Sequence, residues 1–199
     1  PRRAHLVPVS RDFSAGDEIP EGTWLLAFGW HLHPSFGLRY GLPYDPRLRP
    51  LFVSFHLHAI DVLDQPTIEY LRAHGPIGCR DWSTVDLPLS AGVDAFFTGC
   101  VTSTVDAVFP SLDSLDSLDR SDALALGVID TPDPDDLPSD RPVLRLGNSD
   151  AAHRDLDIVS GTRAAIEVLE DYQRRLDRVV TSRLHAYLPA VSLGLEVDL

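Results

Sequence analysis

The sequence predicts an α/β protein of two Rossmann-like units, each with a parallel sheet. Short apolar runs, four to eight residues long, alternate with longer helix-like stretches, and that alternation places helices on the faces of a parallel sheet. A composition break at residues 106–122 divides the alternation, so the units are expected at 1–105 and 123–199 with a linker between them. A chain of 199 residues, 44% hydrophobic, can bury one sizeable core or two small ones.

Residues 1–22 are polar, with Pro and Gly punctuation and no clear period. Residues 24–30 (WLLAFGW) form an apolar run that reads as a buried strand. Residues 36–50, rich in Gly, Pro, Tyr and Arg, read as a loop. Residues 51–58 (LFVSFHLH) are a second strand, with Ser54, His56 and His58 expected on one face because strand side chains alternate. A helix follows over 66–74, with Asp64 as its N-cap and Ile68 and Leu71 on its inner face. Residues 76–79 are a short strand leading into Arg80 and Asp81. The next helix is expected to start at a capping arrangement of Ser83 and Asp86, to tolerate Pro88 in its first turns, and to close at Gly92. Residues 94–101 complete the first unit as a strand rich in Phe.

Residues 111–119 repeat Ser-Leu-Asp three times, which reads as a solvated linker or short connector. Residues 123–130 are an apolar strand, 131–142 an acidic Pro-rich loop and 143–146 a short strand. Residues 160–177 give the clearest helical period, with Ile166, Leu169, Tyr172 and Leu176 on one face. Val179 and Val180 end a buried strand. Thr181 and Ser182 supply N-cap chemistry for a helix whose first turn holds Arg183, Leu184 and His185, and Gly194 closes that helix. Residues 195–199 form the last strand.

The charge of −13 argues against nucleic acid as the main partner, though not against a local Arg-lined anion pocket. All 17 basic residues are Arg, so Schiff-base and P-loop lysine chemistry is excluded. No apolar run reaches 18 residues, so no transmembrane segment is expected, and no signal peptide is visible. Two Cys make no disulfide framework and suit a reducing, cytoplasmic setting. Met is absent even from position 1, so the chain is expected to be a piece of a larger protein.

Arg80, at the end of a strand, suits recognition of a carboxylate or phosphate, because its planar fork pairs with either. An ion pair with Asp81 that anchors the following helix is equally open, and Asp81 reads as a cap or an Arg orienter. Gly99 ends a strand where a ligand could approach the backbone closely, with the hydroxyls of Thr102, Ser103 and Thr104 nearby. Arg183 and His185 stand at a strand–helix junction, where open α/β sheets hold anionic ligands. His31/His33 and His56/His58 have the His-x-His spacing of metal ligands, but further ligands have no clear place, so no metal is expected. His56 is instead assigned to the lining of a cleft, as a hydrogen-bonding or proton-transfer group. Cys79 and Cys100 read as buried small residues, and Asp133-Pro-Asp135 as chance spacing in an acidic loop.

Two stretches carry a resemblance. Ser182-Arg183-Leu184-His185 at a strand end, followed by an apolar helix with Pro and then Gly, resembles the C-terminal signature of the polysaccharide pyruvyl transferase family. Gly78-Cys79-Arg80-Asp81, a helix, and a strand ending in Thr98-Gly99-Cys100 resemble its central signature. The likeness runs from about Trp24 to Leu199, with Thr98, Ser103 and Pro88 departing from the family pattern. It implies a fold like that of the GT-B glycosyltransferases, incomplete here at both ends, with Arg80, Gly99 and Arg183 on a cleft between the units. It also implies a reaction: the enolpyruvyl group of phosphoenolpyruvate moves to two sugar hydroxyls, giving a pyruvyl ketal and phosphate in exopolysaccharide or cell-surface polysaccharide biosynthesis. The partners implied are phosphoenolpyruvate as donor, with no separate cofactor, and a saccharide or lipid-linked saccharide acceptor in the cytoplasm or at the inner membrane face. Carried over by motif, Arg183 is an anion clamp, His185 an acid/base and Arg80 a second cation. The alternatives are a GT-B sugar-nucleotide-dependent glycosyltransferase, for which no nucleoside pocket is legible, and an idle saccharide-binding module with Trp24, Trp30 and Tyr40 as stacking surfaces.

Overall fold

The structure is a computed structural model that describes residues 7, 19–31, 42–58, 60–109, 124–134, 139–147 and 157–199. The chain is mixed α/β, with two four-stranded parallel sheets among the described residues, and it divides into two compact units, Pro1–Val101 and Thr102–Leu199. Residues 102–109 thus belong to the second unit, and residues 110–122 of the expected linker lie outside the described residues.

In the first unit, β1 (Thr23–His31) pairs in parallel with β2 (Leu48–Leu57). β2 pairs with β3 (Ile77–Cys79), and β3 with β4 (Ala95–Phe97). Two helices connect these strands, α1 (Gln65–His74) and α2 (Trp82–Ser90). Phe52, Phe55, Leu57, Leu71, Ile77, Val85 and Val93 form the core. Burying each such side chain contributes about 1.5–3 kcal/mol.

Four local expectations change here. First, residues 24–30 are not buried on both faces. Among the described residues β1 is the edge of the sheet, and Trp24, Leu26 and Phe28 are exposed while Ala27 is buried. Second, β2 carries an extra residue. Ala27 pairs with Phe52 but Gly29 with Phe55, and Ser54 takes a left-handed φ of 56°. The bulge breaks the expected alternation, so Ser54 is buried among Phe52 and Phe55, and His58 falls beyond the strand, exposed. Third, α2 starts at Asp81 rather than at Ser83 and Asp86. The Asp81 carboxylate accepts the Thr84 N–H, and Pro88 falls in the last turn, not the first, where it is buried. Fourth, the strand ends at Phe97, and Val101–Ala107 is a 3-10 stretch kinked at Thr104. Asp64 caps α1 as expected, accepting from the Thr67 N–H at 2.9 Å, and Leu71 is buried beneath it.

The second unit has strand order β6-β5-β7-β8, from β5 (Ala125–Ile129), β6 (Val143–Leu146), β7 (Leu176–Thr181) and β8 (Glu196–Asp198). β5 is buried at all five positions, as an interior strand of a parallel sheet must be. α3 (Ile158–Arg175) and α4 (Leu184–Ser192) complete the unit. Tyr172 of α3, Leu176 and Val179 of β7, and Ala186, Ala190 and Leu193 from and beyond α4 close the core. α3 passes into β7 without a loop, so Leu176 is a strand residue, not part of the helix face, and Ile166 is exposed rather than inward. Among the described residues, no helix is long and apolar enough to cross a membrane.

Candidate functional site

The residues singled out by sequence stand at the carboxyl ends of parallel strands, in two groups, one in each unit. In the first unit the chain leaves β3 through Arg80, whose N–H donates to the Phe55 carbonyl at 2.8 Å, and turns into α2 at Asp81. That carboxylate is the hub of the group. Its Oδ1 accepts from the Ser83 hydroxyl at 2.7 Å, the Thr84 hydroxyl at 2.8 Å and the Thr84 N–H at 2.8 Å. Its Oδ2 lies 2.8 Å from His56 Nδ1 and 3.5 Å from Arg80 Nε. Partial burial disfavours the charge on Asp81, but the hydrogen bonds from Ser83, Thr84 and His56 outweigh it and hold the carboxyl well below the usual carboxylate range. Arg80 therefore makes the anchoring ion pair that the sequence left open beside anion recognition. Its side chain is 11% exposed and that of His56 17%.

The neighbouring strand end is fixed by Thr98. Its hydroxyl donates to the Cys79 carbonyl at 3.0 Å and accepts the N–H of the bulged Ser54 at 3.0 Å. The Ser54 hydroxyl in turn accepts the Val101 N–H at 3.1 Å. Gly99 follows with φ of 74°, a conformation that favours glycine whatever the space around it. Beside this edge the exposed rings of Trp82 and Phe97 stack, centroids 5.0 Å apart and planes 7° apart. Cys79 is buried, and burial together with the Asp81 charge pushes its thiol up to about 12, which removes it as a nucleophile near neutral pH. Cys100 is half-buried.

In the second unit β7 ends at Thr181, whose hydroxyl donates to the Ile129 carbonyl at 2.8 Å and accepts the Arg183 N–H at 3.0 Å. The Ser182 hydroxyl donates to the Asp130 carbonyl at 3.2 Å. Thr181 and Ser182 thus tie the turn to β5 instead of capping the helix. The N-cap of α4 is Arg183 itself, with no side-chain cap. Arg183 is exposed and forms no ion pair among the described residues. His185, two residues further, is exposed and lines a groove of about 390 Å³ with Thr102, Ala165, Leu169, Tyr172 and Pro189. The end of the 3-10 stretch is held to α4 by Asp106, whose N–H and carboxylate both bond the Ser192 hydroxyl.

His56 and Arg80 thus meet on Asp81, Gly99 lies one strand away, and Thr102 and His185 share a groove with Arg183 at the start of the same helix. Sequence reasoning named Ser54 and Thr98 without giving them a role, and missed Thr84 and Trp82. The Asp-x-x-Thr spacing of a cap was the one available signal for Thr84. The other three are placed by tertiary register. Among the described residues no three His, Cys, Asp or Glu side chains are grouped to hold a metal ion. The His31 side chain, His33, Trp30 beyond its backbone, Tyr40 and Asp135 lie outside what is described, and Asp133 is clamped by Arg145 through two bonds of 2.9 and 2.6 Å. Comparison with family models, with characterised proteins and with solved structures gave no match.

Proposed function

We propose that this protein is a polysaccharide pyruvyl transferase-like enzyme that moves the enolpyruvyl group of phosphoenolpyruvate onto sugar hydroxyls. The observation that carries the reading is Arg183. It stands at the end of a parallel strand, at the N-cap of α4, and no carboxylate among the described residues pairs with it. Most described Arg side chains in this acidic chain are paired, such as Arg47 with Asp45 and Arg178 with Asp198. An unpaired guanidinium at a helix N-terminus suits an anion with a carboxylate and a phosphate.

The chemistry needs cations, an acid and a base. Protonation of phosphoenolpyruvate at C3 makes C2 electrophilic, and the first sugar oxygen bonds to C2. Phosphate then leaves with the C2–O bond pair, and the second sugar oxygen closes the ketal. Of the two hydroxyl protons, one ends in the new methyl group and the other on phosphate. Arg183 serves as a cation, and His185, beside Thr102, as the acid for C3. The acceptor is a saccharide or lipid-linked saccharide, and the reaction is placed in the cytoplasm, at or near the inner membrane face.

Calorimetric titration with phosphoenolpyruvate tests the reading. Wild type is expected to bind, and Arg183→Ala to bind about 10- to 100-fold more weakly, the loss of one or two charge-assisted hydrogen bonds. His185→Ala is expected to bind but to release phosphate at least about 100-fold more slowly in the presence of acceptor. A folded wild-type protein that ignores phosphoenolpyruvate would sink the proposal.

A further inference from the structure

We propose that the Trp82–Phe97 pair is a saccharide-stacking platform. It takes β-linked hexopyranose rings on the open face of the Trp82 indole, with Asp86 as the acceptor for their hydroxyls. The site lies wholly in the first unit and does not rest on the pyruvyl-transfer reading.

Two large rings are exposed together at one end of the sheet. Trp82 is 66% exposed and Phe97 46%. Phe97 covers one face of the indole, so the exposure of Trp82 leaves its other face open to solvent. The pair is held from the backbone upward. Trp82 opens α2, whose start is pinned by the Asp81 cap, and Phe97 closes β4 in register with Cys79 of β3. The platform therefore stands at the carboxyl ends of two neighbouring parallel strands, where open α/β sheets take ligands. An exposed apolar surface whose rings already fix each other needs little ordering to bind.

The surroundings select the ligand. Trp82, Asp86 and Leu89 stand at i, i+4 and i+7 on the exposed face of α2. The Asp86 carboxylate pairs with no other described residue. An ionised carboxylate only accepts hydrogen bonds, so it calls for a donor such as a hydroxyl. Arg80, the described Arg at this end of the first sheet, is engaged by Asp81. A phosphate-bearing nucleotide or lipid thus meets two carboxylates and no spare cation. The matching ligand is neutral, with a flat apolar face and hydroxyls on its rim. A β-linked hexopyranose has that form. Its axial C–H bonds point their slight positive charge at the negative face of the indole, and its equatorial hydroxyls ring the contact.

The test is tryptophan fluorescence of the full chain, titrated with cellotetraose and with a β-linked galactotetraose. Wild type is expected to give a saturable change with at least one of them, at a Kd of about 10 µM to 1 mM, and Trp24→Phe to keep it. Adenosine monophosphate should give none. By calorimetry, Trp82→Ala should bind at least about 10-fold more weakly and Trp82→Phe should recover most of the loss, while Asp86→Ala should cost about 3- to 10-fold. Folded wild type that binds neither sugar overturns the proposal, as does folded Trp82→Ala or Asp86→Ala with wild-type affinity. If Trp82→Ala does not fold, Asp86→Ala decides. A response to an Arg-rich peptide that is lost at high salt, with no response to the sugars, overturns it too and assigns the surface to a cationic partner. Sugar binding that needs Trp82, in a protein that ignores phosphoenolpyruvate, supports the platform and removes the proposed reaction, so the two failures are told apart.

Discussion

Asp81 gathers four hydrogen bonds and an Arg onto one carboxylate, and that has a consequence for acid stability. Its folded-state titration lies below that of the unfolded chain. The stability it contributes is therefore full above the ordinary carboxylate value and is lost as pH falls below it. Urea unfolding should accordingly show a larger penalty for Asp81→Asn at pH 7 than at pH 3. Cys79 and Tyr70 have the opposite sign. Burial raises both to about 12, so the folded chain holds these protons above the pH where the unfolded chain gives them up, and stability falls as pH rises past about 9. The measurable counterpart is alkylation: Cys79 should resist iodoacetamide at pH 8 in the folded protein and react on unfolding. The sequence showed Asp81 as a cap or Arg orienter, and it is both. It could not show that His56, 25 residues earlier, meets the same carboxylate, because only strand register brings β2 beside the end of β3.

The α/β alternation was legible because interior strands of parallel sheets are continuous apolar runs, as at residues 125–129, and because helices announce themselves with caps, as at Asp64. What the sequence hid depends on neighbours. One extra residue at Ser54 resets the phase of β2, and the apolar spacing of Leu169, Tyr172 and Leu176 runs on past the point where α3 becomes β7. Asp157 caps α3 through the N–H groups of Val159 and Ser160, so Asp157→Ala should lower stability by about 1 kcal/mol in denaturant unfolding. Gly78 shows what close approach requires. A Cβ there would lie 2.6 Å from the Phe52 carbonyl oxygen and 2.7 Å from Thr98 Cγ2, whereas at Gly127 the nearest atom is the movable Leu176 Cδ1, also at 2.7 Å. Gly78→Ala should therefore destabilise by about 1–3 kcal/mol and exceed Gly127→Ala, by the same measurement.

Each unit has its own core, with Leu71 wholly buried in the first and Leu176 in the second. Truncating either to Ala should destabilise its unit by about 2–5 kcal/mol. Hydrogen exchange would assign the damage, with protection lost first in β3 and α1 for Leu71→Ala and in β5 and β7 for Leu176→Ala. The edge of the first sheet sets a different property, colloidal behaviour. β1 pairs only with β2 among the described residues and turns Trp24, Leu26 and Phe28 outward, 70%, 51% and 51% exposed. Such an edge is a template for a second chain, and what holds molecules apart in solution is the net charge of −13. Acidification toward the isoelectric point of about 4.8 removes that repulsion. Turbidity should rise there, and a single Lys in place of Leu26 should suppress it, so the purification pH becomes a choice dictated by one strand.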